Sequence, residues 1–284
     1  MTPASGDPYL AQVEAWRGEM DERLRRPNGW LALAGLHWLR EGSNMIGSGA
    51  AADVRLPPAA PPQLGALELR QGSVFFAPAA EIPRVEGAPP ASEPLRPDTS
   101  GDPHRLRWGD VELVVIERGG RLGLRVWDNG RRERIQFAGR RWYPVDPLAR
   151  IMAHFEPADS EARIPVPNQL GGIDDEPLLG TAFFDWRGEE GRLRAVPTGD
   201  GGLWFLFGDH TNGETTYPAG RFLVAEALKS GGIVLDFNRA YNPPCAFTAF
   251  ATCPLPPEPN HLPFPIEAGE RFAPDSARHD PAPA

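Results

Sequence analysis

The sequence predicts a mainly β protein that begins with one helix. Only one segment, close to the N-terminus, repeats apolar residues at convincing helical spacing. The rest of the chain contains short apolar segments, several of which alternate with polar residues, as is typical of β-strands. The chain has 31 glycines and 33 prolines among its 284 residues, and they separate most of these segments. We predict an N-terminal helix, a small β-sandwich-like unit and a C-terminal antiparallel barrel-like unit.

Residues 8–26 are predicted to form the helix, within an N-terminal segment of residues 1–29. Asp7 and Pro8 are suitable for the cap and the first turn. Arginines at the C-terminal end suit the helix dipole. The apolar face, which we expect to pack on a sheet, consists of Leu10, Val13, Ala15, Trp16, Met20 and Leu24.

Residues 30–140 are predicted to form the sandwich-like unit. Two hairpins carry this prediction, because each consists of two strand-like segments joined at glycine. The first hairpin covers residues 67–76 and the second covers residues 111–127. Residues 81–103 are rich in Pro, Ala, Gly and Asp, so we expect an exposed connection there.

Residues 141–272 are predicted to form the barrel-like unit, because short strands at this spacing indicate a barrel or a sandwich. The strand from Arg221 and the strand that ends at Asp236 should be antiparallel neighbours, since a short connection joins them. Residues 273–284 are predicted to be a disordered tail. The predicted strands lie at residues 151–155, 181–186, 193–196, 203–207, 221–225 and 233–237.

The composition argues against several functional classes. A net charge of −9 disfavours sequence-independent nucleic-acid binding, which depends on Lys and Arg. No apolar stretch approaches the length of about 20 residues that a membrane helix requires. Residues 1–5 lack the basic start and the apolar run of a signal peptide, so we expect a cytoplasmic protein. The two cysteines are too few for a disulfide framework, and we expect thiols in a reducing compartment.

Familiar catalytic and metal-binding motifs are missing from the sequence. It contains no G-x-x-x-x-G-K-[ST], no H-E-x-x-H and no G-x-S-x-G. The six histidines are scattered without the spacing of zinc ligands. Glu214 and Asp236 suit a hard cation, but two dispersed carboxylates are weak support for a metal. We predict no metal site, and the sequence leaves open whether the protein uses a cofactor.

A rigid polar segment, residues 236–245, is the strongest candidate for a functional site. It follows an apolar strand, and Pro243 and Pro244 fix its backbone. A fold needs little of this chemistry merely to turn a corner. The side chains of this segment that we assign to the site are Asp236, Asn238, Tyr241, Asn242 and Cys245.

A second polar cluster surrounds the predicted turn at Asn212-Gly213. The turn explains these two residues but not the polar residues that flank it. Asp209 and Arg221 could pair across the two strands, which would be a structural role. The residues of this cluster that we assign to the site are Asp209, Thr211, Tyr217 and Arg221.

Cys245 has three interpretations that the sequence leaves open. It is a small buried apolar residue, or it forms a disulfide with Cys253, or it is a nucleophile. A nucleophilic role requires a nearby cation or base that lowers the pKa of the thiol. Arg221 and Arg239 are the candidate cations.

Residues 236–253, together with matching segments toward the N-terminus, make nearly the whole chain resemble DUF1684, a family of prokaryotic proteins of unknown function. Residues 236–253 carry the resemblance, and residues 254–262 and 267–270 continue it. The resemblance implies that the residues assigned to the site recur in the family, but it implies no activity. Further matching segments are Thr216-Tyr217, residues 219–222, Gly29-Trp30-Leu31, Leu33, Gly35-Leu36 and Trp38-Leu39.

The first unit is similar to a forkhead-associated-like β-sandwich. Ile46-Gly47-Ser48 and residues 53–57 match the opening pattern of that fold. Ser48 stands where a phosphopeptide-binding domain of this kind has an arginine. We therefore expect no phosphopeptide binding.

The two polar clusters predict a pocket for a small polar or anionic molecule at the barrel mouth. Arg221 would supply charge-assisted hydrogen bonds. Asp209 or Asp236 would act as a general base if burial raises its pKa, with hydrolysis or proton transfer as the reaction. The predicted ligand-binding residues are Thr211, Tyr217, Arg221, Asn238, Tyr241 and Asn242, and the catalytic candidates are Asp209, Asp236 and Cys245.

Two alternatives to this pocket remain open. In the first, the protein is a non-catalytic scaffold or interaction module. Asp236, Asn238 and Asn242 would then hold their loop through hydrogen bonds to the backbone. In the second, thiol chemistry takes place at Cys245.

Overall fold

The computed structural model describes residues 7–227 and 232–272, and the chain divides into two compact units. The barrel unit contains the described residues up to Glu22 and from Gly139 onward, and the sandwich unit is Arg23–Ala138. The prediction of a mainly β fold with one N-terminal helix is confirmed. The predicted disordered tail lies outside the described residues.

Helix α1 spans Pro8–Arg25, which is one residue shorter than predicted. The backbone N–H of Tyr9 donates to the carboxylate of Asp7 (2.9 Å), which satisfies one of the donors left free at a helix start. Val13 and Met20 are buried, as the apolar spacing predicts. Of the helices in the described part of the chain, none combines the length and apolar character that crossing a bilayer needs.

The sandwich unit contains two four-stranded sheets. Its strands are β1 (Leu33–Trp38), β2 (Gly42–Gly47), β3 (Val54–Arg55), β4 (Gly65–Arg70), β5 (Ser73–Pro78), β6 (Leu106–Trp108), β7 (Val111–Arg118) and β8 (Arg121–Asp128), followed by the short helix α2 (Arg132–Ile135). The sheet orders are β1-β8-β7-β6 and β3-β2-β4-β5, and the predicted hairpins are β4–β5 and β7–β8. Residues from both sheets share one hydrophobic core.

The connection of residues 81–103 differs from the prediction. Val85 and Leu95 are buried in the core of the sandwich unit. The connection is therefore partly packed against the sheets and not exposed throughout. Its high proline and glycine content concealed these two apolar contacts, because such a composition is typical of surface loops.

The barrel unit is built on a closed, antiparallel six-stranded barrel of order β10-β13-β14-β15-β16-β17. Its strands β16 and β17 are antiparallel neighbours, as predicted. The strands of this unit are β9 (Arg141–Trp142), β10 (Arg150–Pro157), β11 (Arg163–Pro167), β12 (Ile173–Pro177), β13 (Gly180–Trp186), β14 (Glu189–Pro197), β15 (Leu203–Phe207), β16 (Arg221–Ala227), β17 (Gly232–Asp236) and β18 (Glu270–Arg271).

The alternation of side chains along β16 and β17 decides where polar residues point. Leu223 and Leu235 are fully buried in the barrel core, whereas Val224 lies on the outer face and is 45% exposed. Arg221 shares its face with Leu223 and therefore points inward. Asp236 follows the inward Leu235 and therefore points outward.

A hairpin outside the barrel sheet was not predicted. Within the described residues, strands β11 and β12 form a separate two-stranded sheet. Ile164 and Val166 of β11 are buried against Leu206 and Phe222 on the outside of the barrel. Pro165 lies between these two residues and Pro167 follows them. These prolines hid the strand, because proline is typical of strand edges and loops.

Candidate functional site

Arg221 and Asp209 form a completely buried ion pair. The guanidinium Nη2 lies 2.8 Å from the carboxylate Oδ2, and both side chains are 0% exposed. Arg221 also donates hydrogen bonds to the carbonyls of Ile266 (2.8 Å) and Ala268. The guanidinium donors therefore bind acceptors within the protein. Through them, Arg221 ties the segment of residues 266–268 to the barrel.

The turn before Arg221 secures the other side of this pair. The Thr211 hydroxyl donates to Asp209 Oδ1 (2.5 Å), and the backbone N–H groups of Thr211 and Ile266 point at the same oxygen (2.8 and 3.2 Å). Thr211 Oγ1 is also 2.7 Å from the hydroxyl of Thr216. Thr211 therefore orients Asp209 within a buried network.

Glu270 is the centre of a second buried network. Its carboxylate accepts hydrogen bonds from Arg140 Nη1 (2.5 Å) and from the backbone N–H of Asn242 (2.8 Å). Burial raises the pKa of Glu270 to about 6, and it outweighs the opposing effect of Arg140. Sequence reasoning gave neither Glu270 nor Arg140 a role, since both lie far along the chain from their partners.

Tyr241 and Asn242 fix the backbone at the end of the barrel. Tyr241 exchanges two backbone hydrogen bonds with Phe222 (2.8 and 2.9 Å), and their rings meet edge to face at 5.8 Å. The side-chain amide of Asn242 donates to the carbonyl of Arg271 (3.2 Å). Tyr241 and Asn242 are therefore both bound to other residues of the protein, Phe222 and Arg271.

On the outer face, Asp236 belongs to a network with helix α1. The Tyr9 hydroxyl donates to Asp236 Oδ1 (2.7 Å) and accepts from Asn238 Nδ2 (2.8 Å). The Asn238 amide also donates to the carbonyl of Asp146 (2.7 Å) and accepts from its N–H (2.9 Å). Burial, together with the hydrogen bond to Asp236, raises the pKa of the Tyr9 phenol.

A cleft opens on the barrel unit beside this network. Strand register places Arg150 directly opposite Asp236. Its guanidinium stacks over the Tyr9 ring at 5.7 Å from the ring centre, and makes no hydrogen bond or ion pair within residues 7–227 and 232–272. The residues that line the cleft are Tyr9, Gln12, Arg150, Val224, Val234, Asp236 and Arg239.

The two cysteines lie together in a separate buried cluster. The backbone N–H of Cys245 donates to Cys253 Sγ (3.2 Å), and both residues are thiols. The Tyr217 hydroxyl donates to the carbonyl of Cys245 (3.1 Å). A hydrogen bond from the Cys253 thiol is the largest of the effects that lower the pKa of Cys245, and it raises the pKa of Cys253.

The structure thus divides the predicted site residues among several neighbourhoods. Tyr217 and Cys245, which belong to different clusters in the sequence, are in contact. Arg221 and Asp236 lie on opposite faces of the barrel wall. Within the described residues, no group of three or more His, Cys, Asp or Glu side chains could hold a metal ion.

Comparison with known proteins finds a family to which the barrel unit is similar. Residues 135–271 match the family described as "Protein of unknown function (DUF1684)". This match supports the resemblance to the DUF1684 family that the sequence predicts. The DUF1684 segment contains every predicted site residue and all six barrel strands. It leaves out the sandwich strands, so the resemblance to a forkhead-associated fold is not confirmed.

One solved structure similar to this chain is the solution NMR structure of an uncharacterized protein from Haloarcula marismortui. The two sequences are 32% identical, and the alignment covers 52% of this chain and 82% of that protein, with a TM-score of 0.41. No curated protein is significantly similar to the chain.

Proposed function

We propose that the protein binds a small anionic molecule with an apolar part in the cleft beside Tyr9 and Asp236. The Arg150 guanidinium carries this proposal, because it lies in the cleft without a hydrogen bond or ion pair in the described part of the chain. A guanidinium offers five N–H donors in a planar fork that matches a carboxylate or a phosphate.

The charge balance of the cleft favours an anion. Two arginines, Arg150 and Arg239, stand against one aspartate. Asp236 already accepts from the Tyr9 hydroxyl (2.7 Å) and lies 3.4 Å from Arg239 Nε. One positive charge therefore remains uncompensated locally, on a chain whose net charge is −9. Such a local field attracts anions.

The cleft walls favour a ligand that also has apolar surface. Val224 and Val234 line the cleft, and Val224, at 45% exposed against 4% for Val234, supplies the accessible apolar surface. A bound alkyl or aryl group would remove this apolar surface from water, which contributes about 25 cal/mol for each Å² buried. An anion with no apolar part lacks this contribution.

The acid–base groups of the cleft support binding without turnover. The pKa of Tyr9 is raised, so its phenol stays protonated as a hydrogen-bond donor. Asp236 Oδ1 accepts hydrogen bonds from the Tyr9 hydroxyl and from the backbone N–H of Asn238 (3.2 Å). A general base needs a carboxylate oxygen that is free to accept a proton, and these two donors already engage Oδ1. The buried residues Arg221, Asp209 and Thr211 then have a structural role.

A thermal-shift screen of the full chain tests the proposal. We expect hexanoate and benzoate to raise the melting temperature more than acetate or inorganic phosphate. A ligand at about one hundred times its Kd contributes about 2.7 kcal/mol. The Arg150→Gln variant should lose this response, with only a small decrease in the melting temperature of the unliganded protein from the lost stacking on Tyr9.

Arg192→Gln is the matched control for this screen. Arg192 is exposed on β14 and its guanidinium likewise makes no hydrogen bond or ion pair within the described residues, but it does not line the cleft. It should respond to ligand as the parent does. Equal stabilisation of Arg150→Gln, or no response of the parent to any of these anions, would contradict the proposal.

A further inference from the structure

We propose that Cys245 and Cys253 are a redox pair that exchanges with a low-molecular-weight disulfide, with Cys245 as the attacking residue. This inference is independent of the cleft at Arg150. The chain contains two cysteines, and both belong to one small buried cluster with Ala251, against which Tyr217 packs. The chain therefore places all of its thiol chemistry at one point.

The local backbone brings the two residues together. Cys245 lies in a short 3-10 helix, Pro244–Ala246, whose start is fixed by proline. Its N–H donates to Cys253 Sγ at 3.2 Å. The carbonyl of Cys253 accepts from the N–H of Gln169 (3.1 Å), which holds the second cysteine in place. The sulfur of Cys253 is thus already in contact with the residue that it would join.

The two thiols have different roles. The Cys253 thiol donates a hydrogen bond to the sulfur of Cys245, which lowers the pKa of Cys245 and raises that of Cys253. The Tyr217 and Gln169 side chains also favour the Cys245 thiolate. Cys245 is also the more exposed of the two residues, at 7% against 4%. Because the thiolate is the nucleophile in disulfide exchange, we assign the attack to Cys245 and the resolving step to Cys253.

The exchange takes place in two balanced steps. The Cys245 thiolate attacks one sulfur of the small disulfide, whose S–S bond breaks, and a mixed disulfide and one small thiolate result. Cys253 then loses its proton, and its sulfur attacks the Cys245 sulfur and releases the second small thiolate. The protons that the two cysteines lose end on the two released thiolates. The cysteine pair is oxidised and the small disulfide is reduced.

Burial restricts the partner to a small molecule. Cys245 is 7% exposed and Cys253 is 4% exposed. A protein disulfide requires a wide approach to its target sulfur, whereas a small disulfide requires only a narrow one. The nearly closed cluster therefore favours a compact disulfide such as oxidised glutathione.

The test uses the full-length protein in mixtures of reduced and oxidised glutathione, followed by acid quench, alkylation with a maleimide after denaturation, and intact mass spectrometry. The wild type should lose the mass of two hydrogen atoms and both alkylation sites together. Cys253→Ser should accumulate glutathione on Cys245, and Cys245→Ser should accumulate at least tenfold less on Cys253. Arg150→Gln should oxidise as the wild type does, which separates this result from the ligand proposal.

Two results would overturn the inference. One is a wild type that keeps both alkylation sites in excess oxidised glutathione. The other is equal glutathione addition to the two single variants. Circular dichroism verifies that each variant folds, and the wild-type measurement decides whether the two cysteines form a redox pair even if neither variant does.

Discussion

Replacing Arg221 by methionine tests the structural role of the buried ion pair. Methionine keeps much of the apolar stem but removes the charge and the donors, so Asp209 would remain buried without its partner. Removing one member of a buried pair costs about 3–5 kcal/mol. The carbonyls of Ile266 and Ala268 also lose a donor, at about 1–3 kcal/mol each when nothing replaces it. These effects share one network and do not add fully, so we expect a loss of at least about 4 kcal/mol.

Urea unfolding followed by circular dichroism measures this loss, with Arg192→Met as the control. Arg192 is exposed and its guanidinium makes no hydrogen bond or ion pair in the described part of the chain, so its replacement should change stability by less than about 0.5 kcal/mol.

The double variant Arg221→Met, Asp209→Asn should recover part of the loss, because no buried charge is left alone and the amide oxygen of asparagine can still accept from Thr211 and Ile266. It should not recover all of it, since the carbonyls of residues 266 and 268 stay without their donor. Amide hydrogen exchange should show lost protection in residues 266–270. A cost below about 1 kcal/mol for Arg221→Met would refute the structural role.

Three further outcomes follow from the other networks. Because Glu270 has its pKa raised from 4.5 to about 6, the folded state holds a proton that the unfolded state has lost between these pH values. The contribution of Glu270 to the free energy of unfolding is fully present below pH 4.5 and falls by about 2 kcal/mol as pH rises past 6. Urea unfolding of wild type and of Glu270→Gln at several pH values should show this pH dependence as a changing difference in stability. A difference that stays constant with pH would contradict it. Tyr9→Phe removes the donor to Asp236 and should cost about 1–2 kcal/mol in thermal unfolding, with an unchanged melting temperature as the contrary result. Burial opposes ionisation of Glu112, but hydrogen bonds from Arg107 and Arg105 outweigh the effect of burial and lower the pKa of Glu112. Glu112→Gln should therefore destabilise the protein at pH 7 and much less at pH 3. An equal loss of stability at both pH values would argue against this.

Much of the fold follows from local sequence patterns. The apolar spacing of residues 8–26 predicted α1, and glycine-joined alternating segments predicted the hairpins β4–β5 and β7–β8. The hairpin β11–β12 escaped, because Ile164 and Val166 are surrounded by prolines. The repeats of apolar residues every two or every 3.6 positions are properties of a short stretch of sequence. This hairpin instead forms because its apolar side chains pack on apolar residues on the outside of the barrel.

The candidate site was predictable only in part. Asp209 and Arg221 lie close enough in sequence for their pairing to be anticipated. Tyr9 is 227 residues from its partner Asp236, and no local pattern connects them. Arg150 could have been found only from the register that sets it opposite Asp236. The alternation along β16 and β17 places Arg221 inside the barrel and Asp236 outside, which a list of polar residues does not reveal.

Calorimetric titration of hexanoate into wild type, Arg150→Gln and Arg192→Gln tests most directly whether the outer cleft is the ligand site. A charge-assisted hydrogen bond contributes about 1.5–3 kcal/mol. We therefore predict that wild type and Arg192→Gln bind equally, and that Arg150→Gln binds about 10- to 100-fold more weakly. Equal affinity of Arg150→Gln and wild type, or no heat of binding to the wild type, would contradict the account.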